Sequence, residues 1–118
     1  ALEPEAPVEE HFEKARRDIY VDVLGDLNDK NLLILSAVAE KKKAKARKVF
    51  QAYRKRSVQA GEEPFSYAYF YSNLSYLQSL GLILLVSTKI NRTYTNRIQP
   101  LVDPELIRSV CKRRGLNG

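Results

Sequence analysis

The side chains best suited to bind another molecule are basic residues that follow an apolar stretch near position 85. Lys89, Arg92 and Arg97 alternate with short polar residues, among them Asn91 and Thr93. Long cationic side chains bind phosphate oxygens, and neighbouring amides and hydroxyls can donate hydrogen bonds to the same backbone. The segment therefore predicts contact with the phosphates or the minor groove of duplex DNA, where negative potential is concentrated. The alternative is a solvated hairpin whose lysines protect an exposed strand edge.

A second set of candidate contacts lies on a tyrosine-rich segment, residues 66–80, which is predicted to form a helix that ends at Gly81. At about 100° per residue, its apolar residues Phe70, Leu74 and Leu77 share one face, and the opposite face has no lysine or arginine. That face cannot make the commonest specific base contact, from arginine to guanine, but serine, asparagine and tyrosine can bind phosphates or base edges. The candidates are Ser66, Tyr69, Ser72, Asn73 and Tyr76, whereas Tyr67 and Tyr71 are predicted to pack against neighbouring helices.

A third basic segment, residues 41–48, has six lysines and arginines in eight positions. We expect Lys43 and Lys45 to hold flanking phosphates if the turn places them beside the helix at 66–80. A solvated surface, or a nuclear localisation signal, would have the same composition.

Motifs for catalysis are missing from the sequence. None of the five glycines is adjacent to another, and there is no G-x-x-x-x-G-K phosphate loop or G-x-S-x-G nucleophile turn. His11 and Cys111 are the only residues of their types, which argues against a zinc site formed by this chain alone and against an internal disulfide. We therefore expect no enzymatic activity and no cofactor. The lone cysteine fits a reducing compartment.

Charge is unevenly distributed along the chain. The net charge is +6 over 118 residues, yet residues 1–30 contain nine acidic and four basic residues, whereas residues 31–118 contain five acidic and sixteen basic residues. This asymmetry favours a polyanionic partner for one part of the fold, the alternative being a solvated basic surface. No apolar run approaches the roughly 18 residues of a membrane-spanning helix, so no membrane partner is expected.

Apolar periodicity predicts three further helices before the tyrosine-rich one. Asp29 is predicted to cap the second, whose residues 32–39 are apolar on all sides, as in the central helix of a bundle. The third is predicted over residues 44–60. The first helix is predicted to bury Phe12, Ala15, Ile19, Val23 and Leu27, and the third to bury Val49, Phe50 and Tyr53.

Two strands, residues 82–87 and about 94–100, are predicted after the helix at 66–80, and Asp103-Pro104-Glu105 marks the start of a last helix. The order of elements predicts an α+β, mostly α domain. This order of elements is typical of a winged helix-turn-helix, which is a helical bundle with a β-hairpin wing and, here, a C-terminal helix. Residues 1–8 are predicted to be a linker and residues 9–118 the winged-helix domain.

Four segments in order along the chain share a pattern with one known family: His11–Ala15, Leu27–Ala37, Val49–Tyr53, and Ser66–Ile83 with its apolar residues Phe70, Leu74 and Leu77. Together they resemble the C-terminal winged-helix domain of archaeal replication initiators, the ORC/Cdc-type proteins. In that family the four segments are the entry to the winged helix, the first and second core helices, and the recognition helix with the first wing strand.

The resemblance implies that the chain binds duplex DNA at replication origins, with the helix at 66–80 in the major groove and residues 88–97 forming the wing. Lys89, Arg92 and Arg97 correspond to the family's wing cations, but this loop lacks the glycine that the family's wing often contains. The implied partners are double-stranded DNA and the AAA+ ATPase module of the same initiator. The implied location is cytoplasmic and nucleoid-associated.

Two other functions fit the same pattern. One is a winged-helix transcription regulator, which commonly binds paired half-sites as a dimer. The other is a winged helix used for protein–protein contact, which the uncharged face of the helix at 66–80 would suit. Because the first helix has a single apolar stripe, needed for the core, we expect the isolated domain to be a monomer.

Overall fold

The structure is a computed structural model that describes the backbone of residues 8–116 and the side chains of residues 14–116 other than those at positions 90 and 94. The predicted linker, residues 1–8, and the side chains of His11 and Phe12 therefore lie largely outside the described residues, although Val8 already belongs to the first helix. The elements are α1 (Val8–Asp26), α2 (Asp29–Glu40), β1 (Ala44–Lys45), α3 (Ala46–Gln59), α4 (Tyr67–Ser79), β2 (Ile83–Ile90), β3 (Thr93–Pro100) and α5 (Pro104–Arg113).

The described residues form an α+β fold that is mostly helical, as predicted, and that is compatible with a winged helix. The strands make one small antiparallel sheet in the order β1-β3-β2. β2 and β3 pair along their whole length, from Ile83 opposite Pro100 to Ile90 opposite Thr93. Within residues 8–116, no helix is both long and apolar enough to cross a membrane.

Helix α2 is the centre of the fold, because all nine residues from Asn31 to Ala39 are buried. The sequence predicted Asp29 as its N-cap, and this is wrong by one residue. Asn28 has the extended backbone of a cap, and its side-chain oxygen accepts a hydrogen bond from the backbone N–H of Asn31 at 2.8 Å. Asp29 lies in the first turn instead, where its charge favours the helix dipole.

The apolar stripe predicted for α1 is only partly correct. Ala15 is exposed and Ile19 is 61% exposed, whereas Leu24 is fully buried. Tyr20 and Val23 pack at the edge of the core, and Leu27 is buried just beyond the helix. The physical reason is that, among the described side chains of α1, contact with the core begins only at Tyr20, and the helix also contacts α5. Periodicity identifies the face of a helix but not how far along the helix that face is covered.

An aromatic cluster joins α3 to α4. The ring of Phe70 lies 5.1 Å from Phe50 and 5.6 Å from Tyr53, and Tyr53 and Phe70 are completely buried. The hydroxyl of Tyr53 accepts a hydrogen bond at 2.9 Å from the backbone N–H of Phe65, in the segment that leads into α4. These contacts fix where α4 begins and which of its faces is buried.

The predicted start of the third helix at Ala44 is wrong, because Ala44 and Lys45 form strand β1. Ala44 lies opposite Ile98 and Lys45 opposite Arg97. Lys43, with a φ of 56°, turns the chain out of the end of α2 and into this strand. A two-residue strand has no periodicity to detect, since it depends on a partner some fifty residues away in the chain.

Arg114 joins the end of α5 to the end of α1. Its guanidinium donates hydrogen bonds to the backbone oxygens of Gly25 and Leu27 and contacts the carboxylate of Asp29 at 3.2 Å. The C-terminal carbonyls of a helix lack partners within the helix, and a cation placed there supplies them.

We expect Arg114→Ala to lower the free energy of unfolding by about 2 kcal/mol, because the carbonyls at the end of α1 lose charge-assisted donors. Arg113→Ala, which removes the neighbouring exposed cation, should change it by about 0.5 kcal/mol or less. Urea denaturation of both variants measures the difference. Equal effects of the two substitutions would contradict the role assigned to Arg114.

Candidate nucleic-acid interface

The basic hairpin ends in a two-residue turn rather than in the longer loop that the sequence predicted. β2 extends to Ile90 and β3 begins at Thr93, so Asn91 and Arg92 alone form the turn. Their φ angles are 49° and 69°, the left-handed values of a type I′ turn, which matches the twist of paired strands. The hairpin is therefore a two-stranded ribbon with Arg92 at its tip, and Lys89, Asn91, Arg92 and Thr93 are all exposed there.

Arg92 occupies the turn position that glycine favours most. Asparagine tolerates left-handed backbone, whereas a residue with a long side chain at this φ is disfavoured by about 1–2 kcal/mol. The hairpin thus keeps a cation at its tip at a cost in stability. The absence of glycine, noted in the sequence, is compatible with a tight turn.

Strand β1 brings the basic segment at 41–48 to the base of the hairpin. Lys45 lies opposite Arg97 in the sheet, and the guanidinium of Arg97 donates a hydrogen bond to the backbone oxygen of Lys43 at 3.0 Å. Ile98 is buried, so alternation along β3 directs Arg97 to the outer face. Lys43 and Lys45 therefore lie at the base of the hairpin, whereas the sequence analysis considered for them only a place beside the helix at 66–80. Like charges at opposed positions of a sheet repel each other, as those of Lys45 and Arg97 do here. An anion bound between the two side chains would reduce this repulsion.

Helix α4 buries the residues that its periodicity predicted. Phe70, Leu74 and Leu77 are fully buried, whereas Tyr69 and Tyr76 are 57% and 49% exposed. Ser66 is the N-cap, and its hydroxyl oxygen accepts a hydrogen bond from the backbone N–H of Tyr69 at 3.3 Å. The hydroxyl proton of Ser66 remains able to donate to a phosphate.

The candidate residues of α4 do not all lie on the side of the hairpin. Tyr71 and Gln78 share one flank, where the hydroxyl of Tyr71 accepts a hydrogen bond from the amide of Asn96, and Gln78 accepts one from the backbone N–H of Leu85 at 2.7 Å. Tyr69, with Asn73 and Tyr76, lies on the other flank by helical spacing.

Contacts on that second flank lead towards α2. The ring of Tyr69 lies 4.5 Å from the ring of Phe65, and the ammonium group of Lys30 lies 4.9 Å from the ring of Phe65. The side-chain amide of Asn73 donates to the backbone oxygen of Tyr69 at 2.9 Å. Ser72 is exposed between the two flanks. A duplex that meets the hairpin therefore approaches Ser72 and the first flank more directly than Tyr69, Asn73 and Tyr76.

A groove of about 380 Å³ lies where α4, the start of α3 and the hairpin meet, and it is lined by Lys45, Ala46, Arg47, Tyr67, Tyr71, Thr95 and Asn96. The guanidinium of Arg47 lies 4.7 Å from the ring of Tyr67, which restricts its position. Tyr67 packs against Phe50 of α3, as predicted, whereas Tyr71 is hydrogen-bonded to Asn96 of β3. Both side chains are half-buried and contribute to this surface.

Sequence reasoning missed Arg47, Thr95 and Asn96 as members of one surface. Arg47 is in the basic segment that the sequence singled out, but no pattern in the sequence shows which of those cations turns towards the hairpin.

Cys111, to which the sequence assigned no chemistry, is buried in α5, and its thiol lies 3.9 Å from the backbone oxygen of Leu32. Burial raises the pKa of this thiol above its ordinary value. The protonated form is therefore favoured at neutral pH, and the nucleophilic thiolate is disfavoured. Cys111 therefore serves as an apolar residue of the core rather than as a nucleophile.

We expect Arg92→Gly to raise the free energy of unfolding by about 1 kcal/mol, because glycine adopts the left-handed turn without strain. Arg92→Ala removes the same charge but keeps the strained backbone, so it should give little or no gain. Chemical denaturation of both variants makes the comparison. A gain of equal size from alanine would assign the effect to charge rather than to backbone conformation.

Comparison with known proteins shows a similarity in structure. No family model matches the sequence, and no curated protein matches it either. The fold is similar to that in the structure of the Aeropyrum pernix ORC1 protein in complex with DNA, with a TM-score of 0.78 and 18% sequence identity. The similarity covers 91% of this chain and 30% of that one. At this identity the similarity shows a shared fold, and the chain spans less than a third of the ORC1 chain.

Proposed function

We propose that this chain is the winged-helix, duplex-DNA-binding domain of a replication initiator of the ORC/Cdc type. The observation that carries the proposal is the convergence of the hairpin, the start of α3 and α4 on one groove that contains Lys45 and Arg47. The fold similarity to an ORC1 protein that was solved in complex with DNA agrees with the resemblance of four sequence segments to that family.

The arrangement of elements supports a winged helix. α2, β1, α3, α4, β2 and β3 follow one another, and β3 lies between β1 and β2 in the sheet. In that fold α4 is the recognition helix and the β2–β3 hairpin is the wing. Lys45 and Arg47 then occupy the start of the helix before the recognition helix, where side chains and backbone N–H groups commonly meet a phosphate.

In the proposed complex, α4 lies in a major groove and the hairpin follows the adjacent backbone or minor groove. The exposed face of α4 has no cation, so most of the affinity comes from phosphate contacts of Lys43, Lys45, Arg92 and Arg97. Binding should then weaken steeply as salt concentration rises. Specificity for sequence is modest and rests on Ser72, the tyrosines and the shape of the DNA.

The same proposal assigns the chain its setting. The domain acts as a monomeric module, without catalytic activity or a cofactor of its own, beside the AAA+ module of the same initiator. Its place is in the cytoplasm, on the nucleoid. Sedimentation of the isolated domain distinguishes the proposed monomer from the dimer expected of many transcription regulators.

One observation favours a second function, contact with another protein. Tyr69 and Tyr76 are each about half exposed on the flank of α4 away from the hairpin. Exposed tyrosines are enriched where proteins meet. A DNA-titration experiment separates the two functions, since a protein-binding domain would show no salt-dependent affinity for duplex DNA.

We expect Arg92→Ala to weaken binding to all duplex sequences alike and to reduce the slope of log affinity against log salt concentration by about one unit. The reason is that Arg92 contacts a phosphate and no base. Titration of duplexes at several salt concentrations measures the slope. Lys112→Ala removes an equal charge at an exposed position of α5 and should leave the slope unchanged. A changed base preference with an unchanged slope would contradict the phosphate role.

We expect Ser72→Glu to lower duplex affinity at least tenfold, because a carboxylate in the middle of the exposed face of α4 repels phosphates at the groove. Ser109→Glu places the same charge at an exposed position of α5 and should lower affinity about twofold or less. Circular dichroism verifies that both variants fold, and gel-shift titration compares them. Equal affinities would mean that the interface lies on another surface.

A further inference from the structure

Helix α3 carries more positive charge than the proposed interface uses. Its fourteen residues include five cations and no acidic residue: Arg47, Lys48, Arg54, Lys55 and Arg56. Among the described residues, one ion pair compensates this charge, between Arg56 and Glu40 of α2 at 3.0 Å. The other four cations have no carboxylate partner among the ion pairs of the described residues.

The four cations of α3 other than Arg56 form two rows on different sides of the helix. Arg47 and Arg54 lie beside the aromatic residues of the α3–α4 cluster, 4.7 Å from the ring of Tyr67 and 5.9 Å from that of Phe50. Lys48 and Lys55 each follow by one residue, so they are rotated by about 100° around the helix. The second row therefore faces away from α4 and the hairpin.

A groove of about 520 Å³ lies beside the second row, between the end of α2 and α3. It is lined by Glu40, Lys41, Lys48, Gln51, Ala52, Lys55, Arg56 and Gln59. Ala52 is the one apolar residue in this set, and Lys41, Lys48 and Lys55 are exposed. The groove therefore presents cations and amide donors, and its one carboxylate, that of Glu40, is already paired with Arg56.

We propose that this groove binds the phosphate backbone of a second duplex segment, so that one domain holds two DNA segments together. The inference rests on the proposed function, which supplies the first segment at α4 and the hairpin. The charge of the groove favours a polyanion, and its one small apolar residue, Ala52, provides little for the buried centre of a protein interface.

The spacing of the cations fits an extended ligand. Lys48 and Lys55 are seven residues apart, a rise of about 10 Å along the helix, and Lys41 lies at the end of the same groove. A compact anion would meet one of these groups, whereas a phosphodiester backbone can meet all three. Because α3 with its side chains is about 10 Å across and separates this groove from α4, the two sites bind different segments.

A two-duplex capture experiment tests the inference with the 118-residue chain. A biotinylated duplex is immobilised, the protein is added at about 50 mM salt, where phosphate contacts are strong, and a fluorescent second duplex is then supplied. The variant is Lys48→Gln/Lys55→Gln, which keeps two good helix formers on an exposed surface. The matched control is Lys112→Gln/Arg113→Gln, which removes two charges from α5.

We expect wild type and the control to capture the second duplex. The Lys48→Gln/Lys55→Gln variant should retain at least fivefold less of the fluorescent second duplex. Its affinity for the first duplex should stay within about twofold of wild type. The inference is overturned if wild type retains the first duplex without capturing a second, or if capture survives in the variant. It is also overturned if the variant loses first-duplex affinity as severely as Arg92→Ala, since the groove would then belong to the first interface.

Two further outcomes identify which of the two proposals fails. If the groove takes an acidic protein, wild type binds polyglutamate, the variant does not, and no second duplex is captured, which overturns the inference. If wild type does not retain even the first duplex, the proposed function itself fails. A normal first interaction with no bridging leaves the proposed function intact and removes the inference alone.

Discussion

The packing of Phe70 against Phe50 and Tyr53 is the contact on which the rest of the candidate interface depends. It presses the apolar face of α4 against α3, and the hydrogen bond from Phe65 to Tyr53 holds the segment that enters α4. Because one face of α4 is fixed inward, its opposite face is fixed outward. The hairpin follows after only a few residues, so its direction is set by the end of α4.

A second consequence of this arrangement is that shape and charge are contributed by different elements. α4 offers a surface of small and aromatic side chains without cations, and the cations come from the hairpin tip, β1 and α3. A helix of this kind can approach a groove closely but recognises few bases. In the proposed complex, the basic elements around it would supply affinity for any duplex, and selectivity would then depend on the shape of the DNA and on the proposed neighbouring module.

The sequence predicted the elements whose burial repeats along the chain. It located α2, the buried face of α4, the hairpin and the capped start of α5 at Asp103, because periodicity and cap chemistry are local properties. It failed where a distant partner decides the outcome. Ala44 and Lys45 are a strand only because Ile98 and Arg97 lie opposite them, and Ile19 is exposed only because the core ends before it.

The same limit applies to the candidate site. The sequence could identify the cations of residues 41–48 but could not assign them to surfaces. The structure divides them, with Lys45 and Arg47 at the α4–hairpin groove and Lys41 and Lys48 at the α2–α3 groove. The tyrosines of α4 are also divided between two flanks. Helical spacing separates the flanks, but it does not show beside which of them the hairpin lies.

Finally, the hydrogen bond between Gln78 and the backbone N–H of Leu85 bears on how this protein behaves in a crowded solution. β2 is the edge strand of the sheet, with Leu84 and Val86 exposed along it, and such an edge can recruit a strand from another molecule. The side chain of Gln78 occupies one of the amides that a foreign strand would need. A residue of α4 thereby helps to keep the hairpin from starting aggregates.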